Sequence, residues 1–160
     1  MKVSVIIPSL NPDNKLVAVV DALLEEGFKE IIIVNDGSDE EHMAPFNEVA
    51  AHSECTILTH EVNKGKGRGL KTAFEFCLEN RKDIDGVVTV DGDNQHRAKD
   101  IKKCSETMVS TGNVVLGVRD FTGDDVPARS KFGNNMTSGV FKGLCRLNIS
   151  ETKTGLRARH

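Results

Sequence analysis

Val87-Val88-Thr89-Val90-Asp91-Gly92-Asp93-Asn94-Gln95-His96 is the stretch from which the rest of the chain is read. Its β-branched, apolar opening has the pattern of a buried parallel strand, and two carboxylates follow at the carboxyl end. In open α/β sheets that end of a strand is where ligands bind. Asp91 and Asp93 stand two apart, so an extended backbone directs both side chains the same way. A kink at Gly92 is equally permitted. Hard oxygen ligands beside a phosphate are the usual way of holding Mg²⁺ or Mn²⁺. Taken alone, the stretch is equally an Asp-Gly turn leaving a strand.

Upstream, Val3-Ser4-Val5-Ile6-Ile7 reads as a first buried strand stopped at Pro8, followed by the polar loop Ser9 to Asn14. Leu16, Val19, Val20, Leu23 and Leu24 repeat at helical spacing up to Gly27. Ile31-Ile32-Ile33-Val34 is a second strand, running into the polar cluster Asn35 to Asp39. A short helix is expected from about His42 to Ala51, then a strand at Cys55 to Thr59. The basic, glycine-rich loop Asn63 to Gly69 offers backbone N–H groups together with Lys64, Lys66 and Arg68 to an anion. It feeds a helix with the core stripe Leu70, Ala73, Phe74, Cys77 and Leu78. It has neither the Gly-Lys-Ser/Thr ending of a Walker loop nor the spacing of a dinucleotide fingerprint.

Downstream, a helix from about Ala98 to Ser110 turns Ile101, Cys104 and Met108 inward, Val114 to Val118 is a fifth strand, and a last helix is expected from about Ser130 to Cys145. Strands alternating with helices give a three-layer α/β/α architecture with a mainly parallel central sheet and right-handed crossovers. Four polar clusters then lie where strands end: Pro8 to Asn11, Asn35 to Asp39, Asn63 to Arg68 and Asp91 to His96.

With 160 residues, 38% hydrophobic and 28% charged, the composition is that of one globular domain. There is no secretory h-region at the start and no apolar run near the roughly 20 residues that span a bilayer. Cys55, Cys77, Cys104 and Cys145 have no zinc-site spacing and read as free thiols of a cytoplasmic protein. The net charge of −3 hides an acidic body and a basic tail. From Ala128 to His160, seven Lys and Arg face only Glu151. Such a tail suits phosphate, an anionic lipid surface or a solvated helix. Nucleic acid is disfavoured, because the tail has only Phe132 and Phe141 for stacking and no reader motif.

In order and spacing, Val5-Ile6-Ile7-Pro8-Ser9-Leu10-Asn11, Ile33-Val34-Asn35-Asp36-Gly37-Ser38, Asn63-Lys64-Gly65-Lys66-Gly67, Asp91-Gly92-Asp93-Asn94-Gln95-His96 and Thr154-Gly155-Leu156-Arg157 resemble a family 2 glycosyltransferase of the GT-A fold. The resemblance is to the branch containing polyprenyl-phosphate (dolichol-phosphate) mannosyl- and glucosyltransferases, and it covers nearly the whole chain. It implies a metal-dependent, inverting hexosyltransferase that moves a sugar from a UDP- or GDP-sugar to an acceptor such as a polyprenyl phosphate. The setting implied is cell-envelope polysaccharide or glycolipid synthesis, at the inner face of the membrane. By the same resemblance Pro8, Ser9, Asn11 and Asp36 hold the base and ribose, with Lys64 and Gly65 beside the nucleotide. Asp91 and Asp93 match the DXD carboxylates, and Gln95 joins them around Mg²⁺ or Mn²⁺. Arg119, Arg129 and Ser130 fall where such enzymes grip the acceptor phosphate.

Two departures stand out. Glu151 occupies the catalytic position where the family usually has Asp, moving the carboxylate by roughly 1.5 Å, which matters for base catalysis. That change favours an acceptor needing no base, as a phosphate dianion does not, or else an impaired enzyme. The chain also stops soon after Thr-Gly-Leu-Arg, so it reads as a single GT-A catalytic domain, 1–160, truncated after that motif. A nucleotide-sugar binding module, without turnover because the acceptor part is missing, is the competing expectation. His96 is read as filling its loop rather than as a further metal ligand. Asn35 replaces the first Asp of the common Asp-Asp-Gly-Ser form.

Overall fold

The computed structural model describes residues 1–117 and 156–159. The strands are β1 (Val3–Ser9), β2 (Ile31–Asn35), β3 (Cys55–Thr59), β4 (Gly86–Thr89), β5 (Val115–Leu116) and β6 (Arg157–Arg159). The α-helices are α1 (Lys15–Glu25), α2 (Ala44–Val49), α3 (Lys66–Asn80) and α4 (Ala98–Thr111), with a 3₁₀ turn at Glu40–His42. The described strands form one sheet in the order β3-β2-β1-β4-β6-β5. β1 to β4 are parallel, and β6 runs antiparallel to both of its neighbours.

Side-chain alternation along each strand builds two cores. Val5, Ile7, Ile31, Ile33, Val88 and Val90 meet Leu16, Val20 and Leu23 of α1 and Ile101 and Met108 of α4. On the opposite face Ile6, Ile32, Val34 and Val87 meet Ala73 and Cys77 of α3. Burial on both faces is why these strands are continuous apolar runs, with each Ile or Leu contributing about 1.5–3 kcal/mol.

Most expected elements are present, and the differences have physical reasons. The helix expected from His42 to Ala51 is split, because Pro45 sets the first turn of a short α2 after the 3₁₀ turn. The glycine-rich segment is not a loop throughout; α3 begins inside it, at Lys66. Its inward face is Gly69, Ala73 and Cys77, while Leu78, assigned to the core stripe, is 77% exposed. The fifth strand is cut to Val115–Leu116, and Val114 is exposed. β6 was not foreseen as a strand: the residues after Leu156 insert between β4 and β5, pairing Val88 with Ala158 and Val115 with Ala158. The helix expected from Ser130 to Cys145 lies outside the described residues. Among the described residues no helix is long and apolar enough to cross a membrane.

Candidate functional site

The parallel strands β1 to β4 deliver their following loops to one edge of the sheet. Ser9 is the last residue of β1 and pairs in register with Asn35, the last of β2. The Asp36 N–H then donates to the Ser9 carbonyl at 2.9 Å, and the His60 N–H to the Asn35 carbonyl at 2.9 Å. The carboxyl ends of β1, β2 and β3 are therefore tied together by backbone.

Side chains lock the β1 and β2 loops to one another. The Asn11 N–H donates to Ser38 Oγ at 2.9 Å, Asn11 Nδ2 donates to Asp39 Oδ2 at 2.8 Å, and the Asp39 N–H donates to Asn11 Oδ1 at 2.9 Å. Asn11 adopts φ +48°, a left-handed conformation that asparagine accepts more readily than most residues. Asn35 is 1% exposed, accepts from the Ser38 N–H at 2.9 Å and directs Nδ2 at the Met43 sulfur. A neutral amide suits that buried place, where an ionised carboxylate would be costly.

Asp36 is the deepest carboxylate of the site, 3% exposed. Its Oδ1 lies 2.7 Å from His60 Nδ1 and accepts the Lys64 N–H at 3.0 Å. Burial is the largest single influence on its pKa and acts upward. The His60 bond, the backbone N–H groups of Lys64 and Gly65 and the nearby imidazole together outweigh it and hold the carboxyl below its ordinary 3.8. His60 is itself buried, with Nε2 at 2.9 Å from Thr72 Oγ1 on α3. One buried chain thus links the β2 loop, the β3 loop and the third helix. Gly37 makes the turn beside it: φ is +77°, and a Cβ there would sit 2.4 Å from the Val62 carbonyl carbon.

Past β4, the chain kinks instead of continuing extended. Gly92 and Asp93 form a turn and Asn94 has φ +61°. The two carboxylates accordingly face different hollows. Asp91 lines a cleft of about 410 Å³ with Pro8, Lys66, Leu70, Phe74, Arg157 and Arg159. The exposed Asp93 lines a shallower one of about 260 Å³ with Ser9, Asn11 and Lys15. Gly92 separates them at the point of closest approach to β1, where a Cβ would stand 3.1 Å from Ser9 Oγ. Lys66 Nζ pairs with Asp91 Oδ1 across the first cleft, and the Gln95 N–H donates to Asp93 Oδ1 at 3.1 Å. Arg159 stacks on the Phe74 ring, its guanidinium 3.9 Å from the centroid. A larger hollow of about 670 Å³ lies at the opposite end of the strands, lined by Met1, Phe28, Arg81 and Lys102, away from these loops.

Residues 4–156 match the model of glycosyl transferase family 2. The chain belongs to that family. It is 27% identical over 172 residues to a UDP-N-acetylglucosamine–dolichyl-phosphate N-acetylglucosaminyltransferase of Methanococcus voltae, covering 96% of this chain and 67% of the relative. The chain spans between 49% and 67% of the length of the curated relatives it matches. Its fold is GT-A. Glucosyl-3-phosphoglycerate synthase of Mycobacterium tuberculosis, in complex with Mn²⁺, UDP and glucosyl-3-phosphoglycerate, superposes with a TM-score of 0.75 at 17% identity, over 99% of this chain and 56% of that one. A mannosyltransferase of Pyrobaculum calidifontis in complex with GDP-Man and Mn²⁺ gives 0.66 at 18%, over 99% and 44%.

Within this family 2 chain, Pro8, Ser9, Asn11, Asp36, Lys64, Gly65, Asp91, Asp93 and Gln95 all lie at the carboxyl edge of β1 to β4. Lys64 and Gly65 reach Asp36 through their backbone amides. Arg119, Arg129, Ser130 and Glu151 lie outside the described residues. Among the described residues no three His, Cys, Asp or Glu side chains gather into a preformed metal cluster. Asp91 and Asp93, expected to share one metal, face different hollows and do not converge on one position, because the chain turns at Gly92. What suits a hard divalent cation is the chemistry of the donor types. Asp91, Asp93 and Gln95 present oxygen donors on one loop, and Mg²⁺ or Mn²⁺ beside phosphate asks for only one or two protein carboxylates. Ser38, Asp39, His60 and Thr72 are the positions that sequence reasoning did not assign. His60 carried a usable signal: it is a lone histidine between the third strand and the glycine-rich segment, where the other loops hold their polar groups.

Proposed function

We propose that the chain is the donor-binding and catalytic part of an inverting glycosyltransferase that takes a UDP- or GDP-sugar and passes the sugar to a polyprenyl phosphate. The observation that carries the reading is the convergence of four polar loops at one edge of the sheet, with Asp91 and Asp93 on the loop after β4. Family membership favours transfer over binding alone. The dolichyl-phosphate relative supports a lipid phosphate acceptor, and the GT-A neighbours in complex with Mn²⁺ and nucleotides support a metal-assisted donor site.

In this reading Asp36 faces the nucleoside with a carboxylate already ionised and held in place by His60, Lys64 and Gly65. Pro8, Ser9 and Asn11 form the facing wall, and Asn11 is fixed there by Ser38 and Asp39. Asp91, Asp93 and Gln95 would hold Mg²⁺ or Mn²⁺, which when bound stabilises negative charge developing on the diphosphate leaving group. Lys66, Arg157 and Arg159 make the cleft beside Asp91 cationic, so it attracts a phosphate-bearing acceptor. Leu70 and Phe74 give the same cleft an apolar wall. Arg119, Arg129 and Ser130 would complete the grip on that phosphate. A phosphate dianion attacks without a general base, so Glu151 in place of Asp is compatible with turnover. Juxtamembrane basic charge of the kind carried after Ala128 would favour an anionic leaflet.

Calorimetric titration with UDP and with GDP, each in Mn²⁺ and then in EDTA, tests this reading. One nucleotide should bind in Mn²⁺ and lose most of its affinity in EDTA, and Asp93→Ala should reproduce the loss. Failure of both nucleotides to bind folded protein would overturn it. Release of the nucleotide diphosphate on adding a sugar donor and a polyprenyl phosphate then tests the acceptor.

A further inference from the structure

Lys66 belongs to the glycine-rich segment yet reaches across the cleft to a carboxylate of the β4 loop. It is the first residue of α3, so its Cα is fixed by the helix, and its ammonium rests on Asp91 Oδ1. Lys66 and Asp91 both line the 410 Å³ cleft. Their side chains are 55% and 26% exposed, so the pair is open to exchange with solutes. A divalent cation on a carboxylate oxygen sits about 2.1 Å away. An ammonium on that same oxygen would then stand only about 3–4 Å from it, so the two positive charges compete for one carboxylate oxygen. A further anion that takes the ammonium relieves that competition, and a nucleotide diphosphate is such an anion.

We propose that Lys66 competes with the metal for Asp91 and hands Asp91 over to the cation when a nucleoside diphosphate gives the ammonium a new partner. This rests on Asp91 being a metal ligand, as proposed above. Lys66 is then a positioning residue that couples metal binding to donor binding. Metal alone must displace an ammonium and binds weakly. Diphosphate alone meets Lys66 already engaged. Together each cation has its own anion, so each ligand tightens the other by one reciprocal factor. The arrangement would keep a cation from settling on the loop before donor arrives.

The test is titration of the full chain with Mn²⁺, reading free Mn²⁺ by its solution electron paramagnetic resonance signal, without nucleotide and then with saturating UDP or GDP. The variants are Lys66→Met, which keeps the length of the side chain without its charge, Lys66→Arg, which keeps the charge, and Asp91→Asn. Wild type should bind Mn²⁺ at least about tenfold more tightly with nucleotide than without. Lys66→Met should tighten nucleotide-free Mn²⁺ binding about five- to tenfold and shrink the nucleotide effect correspondingly, while Lys66→Arg stays near wild type. Equal or weaker nucleotide-free Mn²⁺ binding in Lys66→Met, with Asp91→Asn still abolishing binding, overturns the exchange and leaves the metal assignment standing. If Asp91→Asn binds Mn²⁺ as wild type does, the metal assignment fails and the exchange fails with it. Thermal melts of each variant within a few degrees of wild type establish that the comparison is between folded proteins.

Discussion

Replacing His60 with leucine removes the imidazole from the buried chain that joins Asp36 to Thr72, at nearly constant side-chain volume. His60 lies 2.7 Å from Asp36 Oδ1 and 2.9 Å from Thr72 Oγ1, and both carboxyl and imidazole are almost wholly buried. A hydrogen bond to a charged group is worth about 1.5–3 kcal/mol, and the half-buried Thr72 hydroxyl adds somewhat under 1 kcal/mol. The expected loss at pH 7 is therefore about 2–4 kcal/mol, or a fall in Tm of roughly 6–12 °C for a 3 kcal/mol loss in a chain of this size. The pH dependence separates this cause from lost packing. In wild type the Asp36 carboxyl is held below 3.8, so its contribution is complete above that value and disappears as pH falls through the lowered folded value. Without His60, burial is opposed only by the two backbone amides, and the carboxyl moves upward. The difference between the two proteins should be full at neutral pH and shrink as pH falls through the variant's raised value and then through wild type's lowered one. Urea denaturation at pH 7 and at pH 3.5 measures both differences. A loss below about 0.5 kcal/mol at pH 7, or an equal loss at the two pH values, would refute the assignment of His60 as the partner that keeps Asp36 ionised.

Gly37→Ala should cost about 3 kcal/mol or more by urea denaturation, since an added Cβ at φ +77° would overlap the backbone of Val62 and Asn63 at 2.4–2.5 Å. Gly27→Ala, also at positive φ but in open space, should lose distinctly less. Burial, with Glu54 and Asp21 nearby, pushes the Cys55 thiol from 9.0 up to about 11. Its alkylation at pH 8, followed by mass spectrometry of the labelled peptide, should therefore run about a hundredfold slower in folded than in urea-unfolded protein, because the thiolate is the nucleophile.

What could be read from the chain alone was whatever depends on neighbours in sequence. The β-branched runs at Val3, Ile31, Cys55 and Val87 and the helical spacing from Leu16 fixed the alternation of strand and helix, because burial on two faces or one leaves a local signature. The polar clusters after those strands were visible for the same reason, and parallel topology alone sends them to one edge. Tertiary structure decided the rest. Leu78 carries the periodicity of its helix and still faces solvent, since periodicity cannot say how far a neighbouring layer extends. Asp91 and Asp93 diverge because the chain turns at Gly92 and Asp93, where Gly92 lies close against Ser9 of β1. The Asp36–His60–Thr72 chain and the Lys66–Asp91 pair join residues whose separation in sequence carries no repeat. β6 is the clearest case. Arg157 to Arg159 is too short and too charged to read as a strand, and it becomes one because Ala158 fills the place between Val88 and Val115, leaving Arg157 and Arg159 to line the cleft beside Asp91. Pairing of that kind is set by which partner strand is left open when the sheet assembles, and no local pattern encodes it.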